Sequence, residues 1–270
     1  MSILDKDTIK NYILPYLSEG KTGVKLSEEK RIAIVETVFY RLKTGCQWRE
    51  LPLKMFFKES YTYQSVHYHF SRWVEDGSWK QAWLSLLEKY KKHLDLSSVQ
   101  LDGSQTRAQR GGESVGFQRR KADETSNFLY VCDNQGVLVG ISEPISGNHH
   151  DIFDFEKHFL EVLWWFEQAD ISVKGLFLNA DAGFDTEECR KVFEKKEIEA
   201  NIPFNERNGE KDRCELFDEE LFKRRFVIER TFAWMDAFKA LLIRYEVKAQ
   251  NWLTFNLIAM MVIFIRKMKI

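Results

Sequence analysis

The second half of the chain alternates short β-like runs with helical segments, and this order constrains the fold more than any other feature. From residue 97 onward the patterns predict three strands, the last two joined by a hairpin turn at 133–136, then a helix at 151–168, a strand, a helix, a strand, a long helix at 216–240 and a final helix at 250–268. Such an alternation favours a sheet that carries helices on its faces. We therefore predict an α/β fold for residues 97–270, in which a mixed sheet is flanked by helices.

Residues 1–96 show a different pattern, in which helical segments contain interleaved aromatic and basic residues. Residues 28–44 place apolar side chains at helical spacing between Ser27, a candidate N-cap, and Gly45, a candidate stop. We expect residues 1–96 to form a helical region and residues 97–270 to form a second domain.

A helix predicted at 62–76 presents polar side chains between its apolar positions, and a further helix is predicted at 79–94. The polar set includes Gln64, His67 and Arg72. Because the helix at 62–76 follows an earlier helix and a turn, it is either a recognition helix for the DNA major groove or part of a helical subdomain packed on the core.

Composition excludes several classes of protein. The formal net charge of -1 argues against a uniformly basic surface, although local basic patches remain possible. The four cysteines are scattered, so they give no zinc-ribbon spacing and fit reduced thiols in the cytoplasm. The N-terminus has no signal-peptide pattern. The apolar run at 253–265 has about 13 residues, which favours a buried helix over a membrane span, so no membrane partner is expected.

Three acidic residues stand directly after apolar runs, where an unpaired charge is costly. Asp102 lies in the first predicted strand, Asp181 at the end of a later strand, and Glu229 in a helix. A hard divalent cation would offset that cost, because Mg²⁺ binds carboxylates together with water and phosphate oxygens. Two such ions can flank a scissile phosphodiester. Taken singly, each acid also fits a turn residue, a helix cap or a solvated side chain.

The segments around the three acids are VQLDGSQTRA, LNADAGFDTEECR and RRFVIERTFAWMDAFKALLIRYE. They resemble the three signature blocks of bacterial insertion-sequence transposases of the DDE class, in the four/five insertion-sequence superfamily. The matching residues are Asp102, Ser104, Thr106 and Arg107 in the first block, Asp181, Ala182, Gly183, Phe184 and Asp185 in the second, and Arg225, Glu229, Arg230, Phe232, Trp234, Arg244 and Tyr245 in the third. The segments GCQWRELP, YQSVH, FSRW and GSW resemble the N-terminal part of the same family, so the resemblance covers nearly the whole chain.

We expect residues 1–96 to be a helix-turn-helix-like DNA-binding region. The resemblance implies that residues 97–270 form a ribonuclease-H-like catalytic domain, in which Asp102, Asp181 and Glu229 bind Mg²⁺ or Mn²⁺, with two ions expected. It implies cleavage of double-stranded DNA at terminal inverted repeats, followed by strand transfer into target DNA. A homodimer is expected on DNA because two element ends must be brought together. The expected location is the cytoplasm of a prokaryote, at the nucleoid.

Several basic residues are candidates for DNA contact. Arg225 stands one helical turn before Glu229 and either grips a phosphate or forms a salt bridge with Glu229. The basic stretch at 107–121 is expected to be a loop that becomes ordered on DNA, or else a plain surface loop. Its candidate contacts are Arg107, Arg119, Arg120 and Lys121.

The third block departs from the family pattern at two positions. Phe222 and Asp236 stand where the better-known branch has Tyr and Lys, and Lys239 is a candidate replacement for the missing cation. This departure places the phosphate contact of that position in doubt, and it leaves the metal triad unaffected.

A cluster at 149–151, His149-His150-Asp151, contains metal-capable residues, but Asp151 as a helix N-cap is the preferred interpretation. Two other functions stay open. One is a domesticated nuclease that cleaves without strand transfer, and the other is a non-catalytic DNA-binding regulator. The presence of all three acids disfavours the regulator.

Overall fold

The structure is a computed structural model that describes residues 3–20, 25–206 and 217–270. The helices are α1 (Lys6–Tyr12), α2 (Glu28–Thr44), α3 (Tyr63–Glu75), α4 (Ser78–Tyr90), α5 (Phe155–Gln168), α6 (Glu187–Lys195), α7 (Glu219–Phe222), α8 (Phe226–Met235), α9 (Lys239–Leu242) and α10 (Ala249–Met268). The strands are β1 (Val99–Ala108), β2 (Gly116–Gln118), β3 (Asp123–Asp133), β4 (Leu138–Ile141), β5 (Ile145–Ser146), β6 (Phe177–Asn179), β7 (Glu199–Asn201) and β8 (Ile243–Arg244).

A single mixed sheet runs through the centre of the second half. Its order is β2-β3-β1-β6-β7, with β4 and β5 paired to β3 and β8 paired to β1. Strand β1 pairs antiparallel with β3 along its length and parallel with β6, which in turn pairs parallel with β7. The expectation of a mixed sheet flanked by helices is confirmed.

The hairpin between β3 and β4 forms at the turn expected from the sequence. The carboxylate of Asp133 accepts hydrogen bonds from the backbone N–H groups of Gln135 and Val137, at 2.9 and 2.8 Å. Gly136 has a φ of 82°, a conformation that glycine adopts without steric cost. The turn places α8 against the sheet, because Thr231 donates a hydrogen bond from its hydroxyl to the carbonyl of Gly136 at 2.9 Å.

Helix α2 has the predicted bounds because its ends are encoded locally. The hydroxyl of Ser27 accepts from the N–H of Lys30, and Gly45 ends the helix in the left-handed conformation with a φ of 68°. Near its end, Arg41 forms a buried ion pair with Glu246. The guanidinium of Arg41 also lies over the rings of Trp48 and Phe255, at 4.5 and 4.6 Å from their centroids.

Helix α10 is the buried C-terminal helix that the apolar run predicts. Within the described ranges it is the one helix long and apolar enough to cross a membrane, but 83% of its apolar window is buried inside the protein. It is longer than the apolar run, with 20 residues. It packs against the N-terminal helices: the rings of Phe70 and Phe255 are 4.8 Å apart, and those of Trp83 and Phe264 are 5.3 Å apart.

Three local predictions were wrong. The helix expected at 151–168 begins at Phe155 with Asp154 at its N-cap position, so Asp151 is not the cap. The long helix expected at 216–240 is broken into α7, α8 and α9, with a tighter 3-10 turn at Lys223–Arg225. The stretch at 107–121 is not simply a loop, because β1 continues to Ala108 and β2 pairs with β3.

Candidate active site

Two acids of the triad are brought together by the pairing of β1 with β6. These strands run parallel, with Gln100 opposite Asn179. Continuing the same register by two residues places Asp102 opposite Asp181, at the carboxyl ends where ligands bind in open α/β sheets. Two acids that lie far apart in the sequence therefore become neighbours in the sheet.

A chain of buried amides fixes this register beneath the acids. The side-chain amide of Asn179 donates to Gln100 at 2.9 Å, and that of Asn201 donates to Asn179 at 2.8 Å. All three residues are buried, so slipping a strand would leave amides without partners at a free-energy cost. Sequence reasoning missed this chain, although a polar residue at the same position of three predicted strands is a signal that could have indicated it.

Backbone N–H groups orient both aspartates. Asp102 accepts from the N–H of Gly103 at 2.8 Å. Asp181 accepts from the N–H of Gly183, also at 2.8 Å, and thereby caps the short 3-10 turn that follows β6. The glycine of the second signature block thus sits where its N–H reaches the carboxylate.

Glu229 is presented by α8, whose opposite face is anchored in the core. Ile228, Thr231 and Met235 are buried, while the side chain of Glu229 is 57% exposed. Arg225 ends the 3-10 turn before this helix, one turn ahead of Glu229. The 3-10 turn is tighter than an α-helix. From this turn, the side chain of Arg225 can reach both the sheet and Glu229.

Arg225 lies among all three carboxylates. Its Nη2 is 2.7 Å from Oδ2 of Asp102 and 3.7 Å from Oδ2 of Asp181, and its Nη1 is 3.9 Å from Oε1 of Glu229. The sequence offered a salt bridge to Glu229 as one interpretation of Arg225. The structure places Arg225 closest to Asp102 instead, with Glu229 as its most distant partner of the three.

Burial makes Asp102 an unusual acid. The pKa of Asp102 is raised to about 6: desolvation is the largest cause, the Arg225 guanidinium opposes it, and the negative charge of the neighbouring Asp181 adds to it. The charged form of Asp102 is therefore costly in this environment, and a cation beside it lowers that cost. This is the electrostatic condition expected of a carboxylate that binds a cation.

The three carboxylates have the donor chemistry that a divalent cation prefers. In their present positions, however, they are not close enough together to coordinate one. Among residues 3–20, 25–206 and 217–270, no three metal-capable side chains converge at coordination distance. All three acids nevertheless reach the same guanidinium, and carboxylate oxygens are the donors that Mg²⁺ and Mn²⁺ prefer. The set fits a divalent cation once Arg225 withdraws from it.

A fourth carboxylate, that of Asp151, borders the site. It packs directly over Gly103, where a Cβ atom would fall on the Asp151 carboxyl group. Burial raises the pKa of Asp151, and the negative charge of Asp181 adds to that effect, while His150 and Lys121 lower it. The sequence indicated the acid but not its position beside the first signature block.

The predicted DNA contacts divide into two groups. Arg107, Arg119, Arg120 and Lys121 lie on or beside β1 and β2: Arg107 pairs with Asp123 at 2.6 Å, and Lys121 donates to the carbonyl of Gln105 at 3.2 Å. Lys239 is exposed at the start of α9.

On α3, by contrast, two of the three candidates have structural contacts. Arg72 donates to the carbonyl of Ser18 at 2.8 Å, and His67 meets the ring of Trp48 edge-on at 5.0 Å. Gln64 is exposed.

Arg244 of the third block is a structural residue in this fold. It is buried, and it donates to the carbonyl of Glu113 at 2.6 Å and to the hydroxyl of Ser126 at 2.8 Å. Burial lowers the pKa of Arg244 to about 10. The side chain ties the segment between β1 and β2 to β3, so the block's last arginine supports this part of the sheet rather than the acids.

Two family models match the chain. The model described as "Putative transposase of IS4/5 family" matches residues 7–83, and the model described as "DDE superfamily endonuclease" matches residues 101–264, more than half of the chain. The chain belongs to the DDE superfamily of endonucleases. The two matches together identify this DDE endonuclease as a DNA transposase of the IS4/5 type, and its superfamily depends on a divalent metal.

Distant likenesses also exist among solved structures. A pre-cleavage Mos1 transpososome has 11% identity and a TM-score of 0.31, with 83% of this chain and 81% of that chain covered. A Mos1 paired-end complex with Mn has 10% identity and a TM-score of 0.29, with 91% and 79% covered. A comparison with curated proteins found no match. At these values the assignment of the DDE endonuclease rests on the two family models.

Proposed function

We propose that this transposase uses Asp102, Asp181 and Glu229 to cleave DNA at the ends of a mobile element and to join the freed ends to target DNA. Hydrolysis breaks a phosphodiester and leaves a 3′-hydroxyl, which then attacks a target phosphodiester and displaces its 3′-oxygen. The observation that supports the assignment is the position of Arg225, whose guanidinium lies within 3.9 Å of all three carboxylates.

The triad would hold Mg²⁺ or Mn²⁺, with two ions expected from the resemblance. Bound there, divalent ions supply charge stabilisation to the attacking and leaving oxygens. The protein's own contribution is positional. The amide chain fixes Asp102 beside Asp181, the Gly103 and Gly183 N–H groups orient the two aspartates, and the anchored face of α8 aims Glu229.

Arg225 would change partners during the reaction. It neutralises the carboxylates in the protein alone, and a guanidinium makes paired hydrogen bonds to phosphate as readily as to carboxylate. When the scissile phosphate and the divalent ions arrive, Arg225 would turn to the phosphate. Both interpretations of Arg225 offered by the sequence would then describe successive states of one residue.

The DNA would cross the face that carries the triad and the basic segment that follows β2. Arg119, Arg120 and Lys121 lie in that segment, Arg107 lies near the end of β1, and their phosphate contacts would position the duplex without reading its sequence. Residues 1–96 would act as the DNA-binding region. Of the three α3 candidates, Gln64 is the one for which the described residues show no structural contact. Lys239, His67 and Arg72 complete the proposed DNA-contacting set.

The partners would be terminal inverted repeats and target DNA, with a homodimer holding two element ends together. The proposed location is the bacterial cytoplasm. A duplex carrying the terminal repeat that flanks the gene tests the proposal: the protein with Mg²⁺ should bind it, nick it at the repeat end and leave a 3′-hydroxyl. Cleavage without any joined product would favour a nuclease, and binding without cleavage would favour a regulator.

A further inference from the structure

Three positive side chains line a small cavity near one end of α8, outside the metal triad, and a fourth lies beside it. The cavity has a volume of about 260 Å³ and is lined by Lys43, Trp234, Ala237, Phe238, Ile263, Arg266 and Lys267. Arg230 approaches the same tryptophan from its own helix. The cations come from three helices, since Lys43 ends α2, Arg230 lies on α8, and Arg266 and Lys267 end α10.

Trp234 holds two of these cations close together. The Lys267 ammonium lies 4.0 Å from the centroid of the Trp234 ring, and the Arg230 guanidinium lies 5.2 Å from it. Burial lowers the pKa of Lys267, the positive charge of Arg230 lowers it further, and the negative charge of Asp133 opposes both effects. The protein therefore keeps like charges together at a cost in free energy, which an anion between them would relieve.

Among the described residues, the cations form no close ion pair with a carboxylate. In the part of the chain that the structure describes, no ion pair within 4.0 Å joins Lys43, Arg230, Arg266 or Lys267 to an acid, whereas other exposed lysines are paired, such as Lys195 with Glu156 at 2.6 Å. No residue that lines the cavity is acidic. Two of the cations donate hydrogen bonds to backbone carbonyls instead. Arg266 donates to the carbonyl of Ile3 at 2.9 Å, and Lys267 donates to that of Gln135 at 3.1 Å.

Helix dipoles account for only part of this arrangement. Cations in the last turn of a helix are favoured by the negative end of its dipole, which explains Lys43, Arg266 and Lys267 one by one. Each helix end supplies roughly half a negative charge. Two ends leave the four cations with a clear positive excess, and the dipoles do not explain why the ends of α2 and α10 meet beside Arg230.

We propose that this basic cavity binds a backbone phosphate of the DNA substrate, away from the scissile one. The inference rests on the proposed action of the triad on DNA. Trp234 follows Glu229 by five residues on the same helix, a rise of about 7.5 Å. That distance corresponds to about two base steps of B-DNA at 3.4 Å per nucleotide along a strand. Along the axis of α8, the cavity therefore lies about two base steps from Glu229.

The cavity would replace a cation that the third block lacks. Asp236 stands where the better-known branch has Lys, and it does not line the cavity. Arg230, six residues before Asp236 on the chain, and Lys267, from a different helix, place positive charge beside Trp234. The phosphate contact is thus moved to residues that are distant in sequence.

A salt titration of DNA binding tests the cavity. Affinity for a terminal-repeat duplex is measured by fluorescence anisotropy in EDTA, so that cleavage plays no part. Each lost phosphate contact should lower the slope of log K against log salt concentration by about 0.9. The variant K43Q/R266Q/K267Q should therefore lose about 0.9 units of slope, the value for one phosphate contact, and K191Q, at a lysine of α6 paired with Glu187 at 2.7 Å, should keep the wild-type slope.

A second measurement locates the phosphate. Single neutral methylphosphonates are placed at successive positions on either side of the cut. The wild type should lose roughly tenfold in affinity at one position about two steps from the cut, and K267Q should be insensitive there while it keeps the wild-type response at the scissile position. Circular dichroism confirms that each variant is folded.

The outcomes separate the two proposals. An unchanged slope, or a K267Q variant that responds to every methylphosphonate as the wild type does, overturns the cavity proposal and leaves the triad proposal standing. A wild-type protein that does not bind the duplex overturns both. An equal loss of slope in K191Q would show that general charge, rather than this cavity, governs binding, and it would also overturn the cavity proposal.

Discussion

Arg225 donates an ion-paired hydrogen bond to Asp102, with 2.7 Å between Nη2 and Oδ2, and joins the helix that carries Glu229 to the central strand of the sheet. Both side chains are mostly withdrawn from water, at 17% and 16% exposure. A positive charge therefore already occupies the place where the acids converge. The acids can stay assembled without a divalent ion, and an incoming ion must compete with the guanidinium.

Removing this guanidinium should strengthen metal binding while weakening catalysis. We expect Arg225→Gln to bind Mn²⁺ roughly tenfold more tightly in the absence of DNA, the factor that corresponds to about 1.4 kcal/mol. We also expect cleavage of a terminal-repeat duplex to fall, because the scissile phosphate loses a contact. Mn²⁺ titration followed by electron paramagnetic resonance measures the first effect.

Arg224→Gln is the matched control, because Arg224 is the exposed neighbour in the same 3-10 turn. It removes the same charge without touching the triad. Equal Mn²⁺ affinities in Arg225→Gln and the wild type would contradict competition between the guanidinium and the ion.

The pKa of Asp102 predicts a pH-dependent stability. Burial raises this pKa from an ordinary value of 3.8 to about 6. Between these values the folded state binds more protons than the unfolded state, so the free energy of unfolding falls as pH rises from about 4 to about 6. Asp102→Asn should lack this component, which amounts to on the order of 2–3 kcal/mol at 1.36 kcal/mol per pKa unit.

Urea unfolding at several pH values, in EDTA, measures the difference between the two proteins. The wild type should gain stability relative to Asp102→Asn as pH is lowered through this window. A stability difference that does not change between pH 4 and pH 6 would show that Asp102 has an ordinary pKa in the folded protein.

Much of the site follows from the sequence, and the limits of that prediction have physical causes. Asp102 and Asp181 were placed correctly at strand positions because apolar runs precede them, and α2 was placed correctly because Ser27 and Gly45 encode its ends locally. The contact of Arg225 with Asp102 could not be derived, since it depends on the break between α7 and α8.

Other features depend on tertiary packing rather than on local pattern. The amide chain from Gln100 to Asn201 requires the register of three strands that lie far apart in sequence. The position of Asp151 requires the turn before α5 to fold back over β1, where Gly103 makes room for it. Spacing along the chain contains neither piece of information.

Gly103 should be sensitive to a single added methyl group. Its missing Cβ is the space that the Asp151 carboxyl group fills. We expect Gly103→Ala to lower the free energy of unfolding by about 1–3 kcal/mol, the usual cost of overpacking, because Asp151 is pushed away from β1. Thermal unfolding measures the loss.

The double variant Gly103→Ala/Asp151→Ala provides the control for this contact. It should recover most of the lost stability because the clashing carboxyl group is gone. A double variant that is less stable than Gly103→Ala alone would show that the clash lies elsewhere.

The buried ion pair of Arg41 and Glu246 should stabilise the packing of the N-terminal helices against the C-terminal part of the chain. Glu246→Gln leaves the Arg41 guanidinium buried without its counter-charge, between the rings of Trp48 and Phe255. We expect a loss of about 3–5 kcal/mol in the free energy of unfolding. Arg41→Met/Glu246→Leu should lose less, because neither charge remains buried. Chemical denaturation of the three proteins tests both expectations, and a double variant that matches the single one would contradict this explanation.

The most direct test of the proposed function is a strand-transfer assay of triad variants in which the substituted side chains keep nearly the same shape. The wild type is incubated with Mg²⁺, a terminal-repeat duplex with a 3′-hydroxyl end and a supercoiled target plasmid, and joined products are separated on a gel. We predict joined products for the wild type, and a loss of at least roughly a hundredfold for Asp102→Asn, Asp181→Asn and Glu229→Gln, with DNA binding retained in EDTA. Joining at the wild-type rate by any of the three variants would contradict the assignment of Asp102, Asp181 and Glu229 as the catalytic triad.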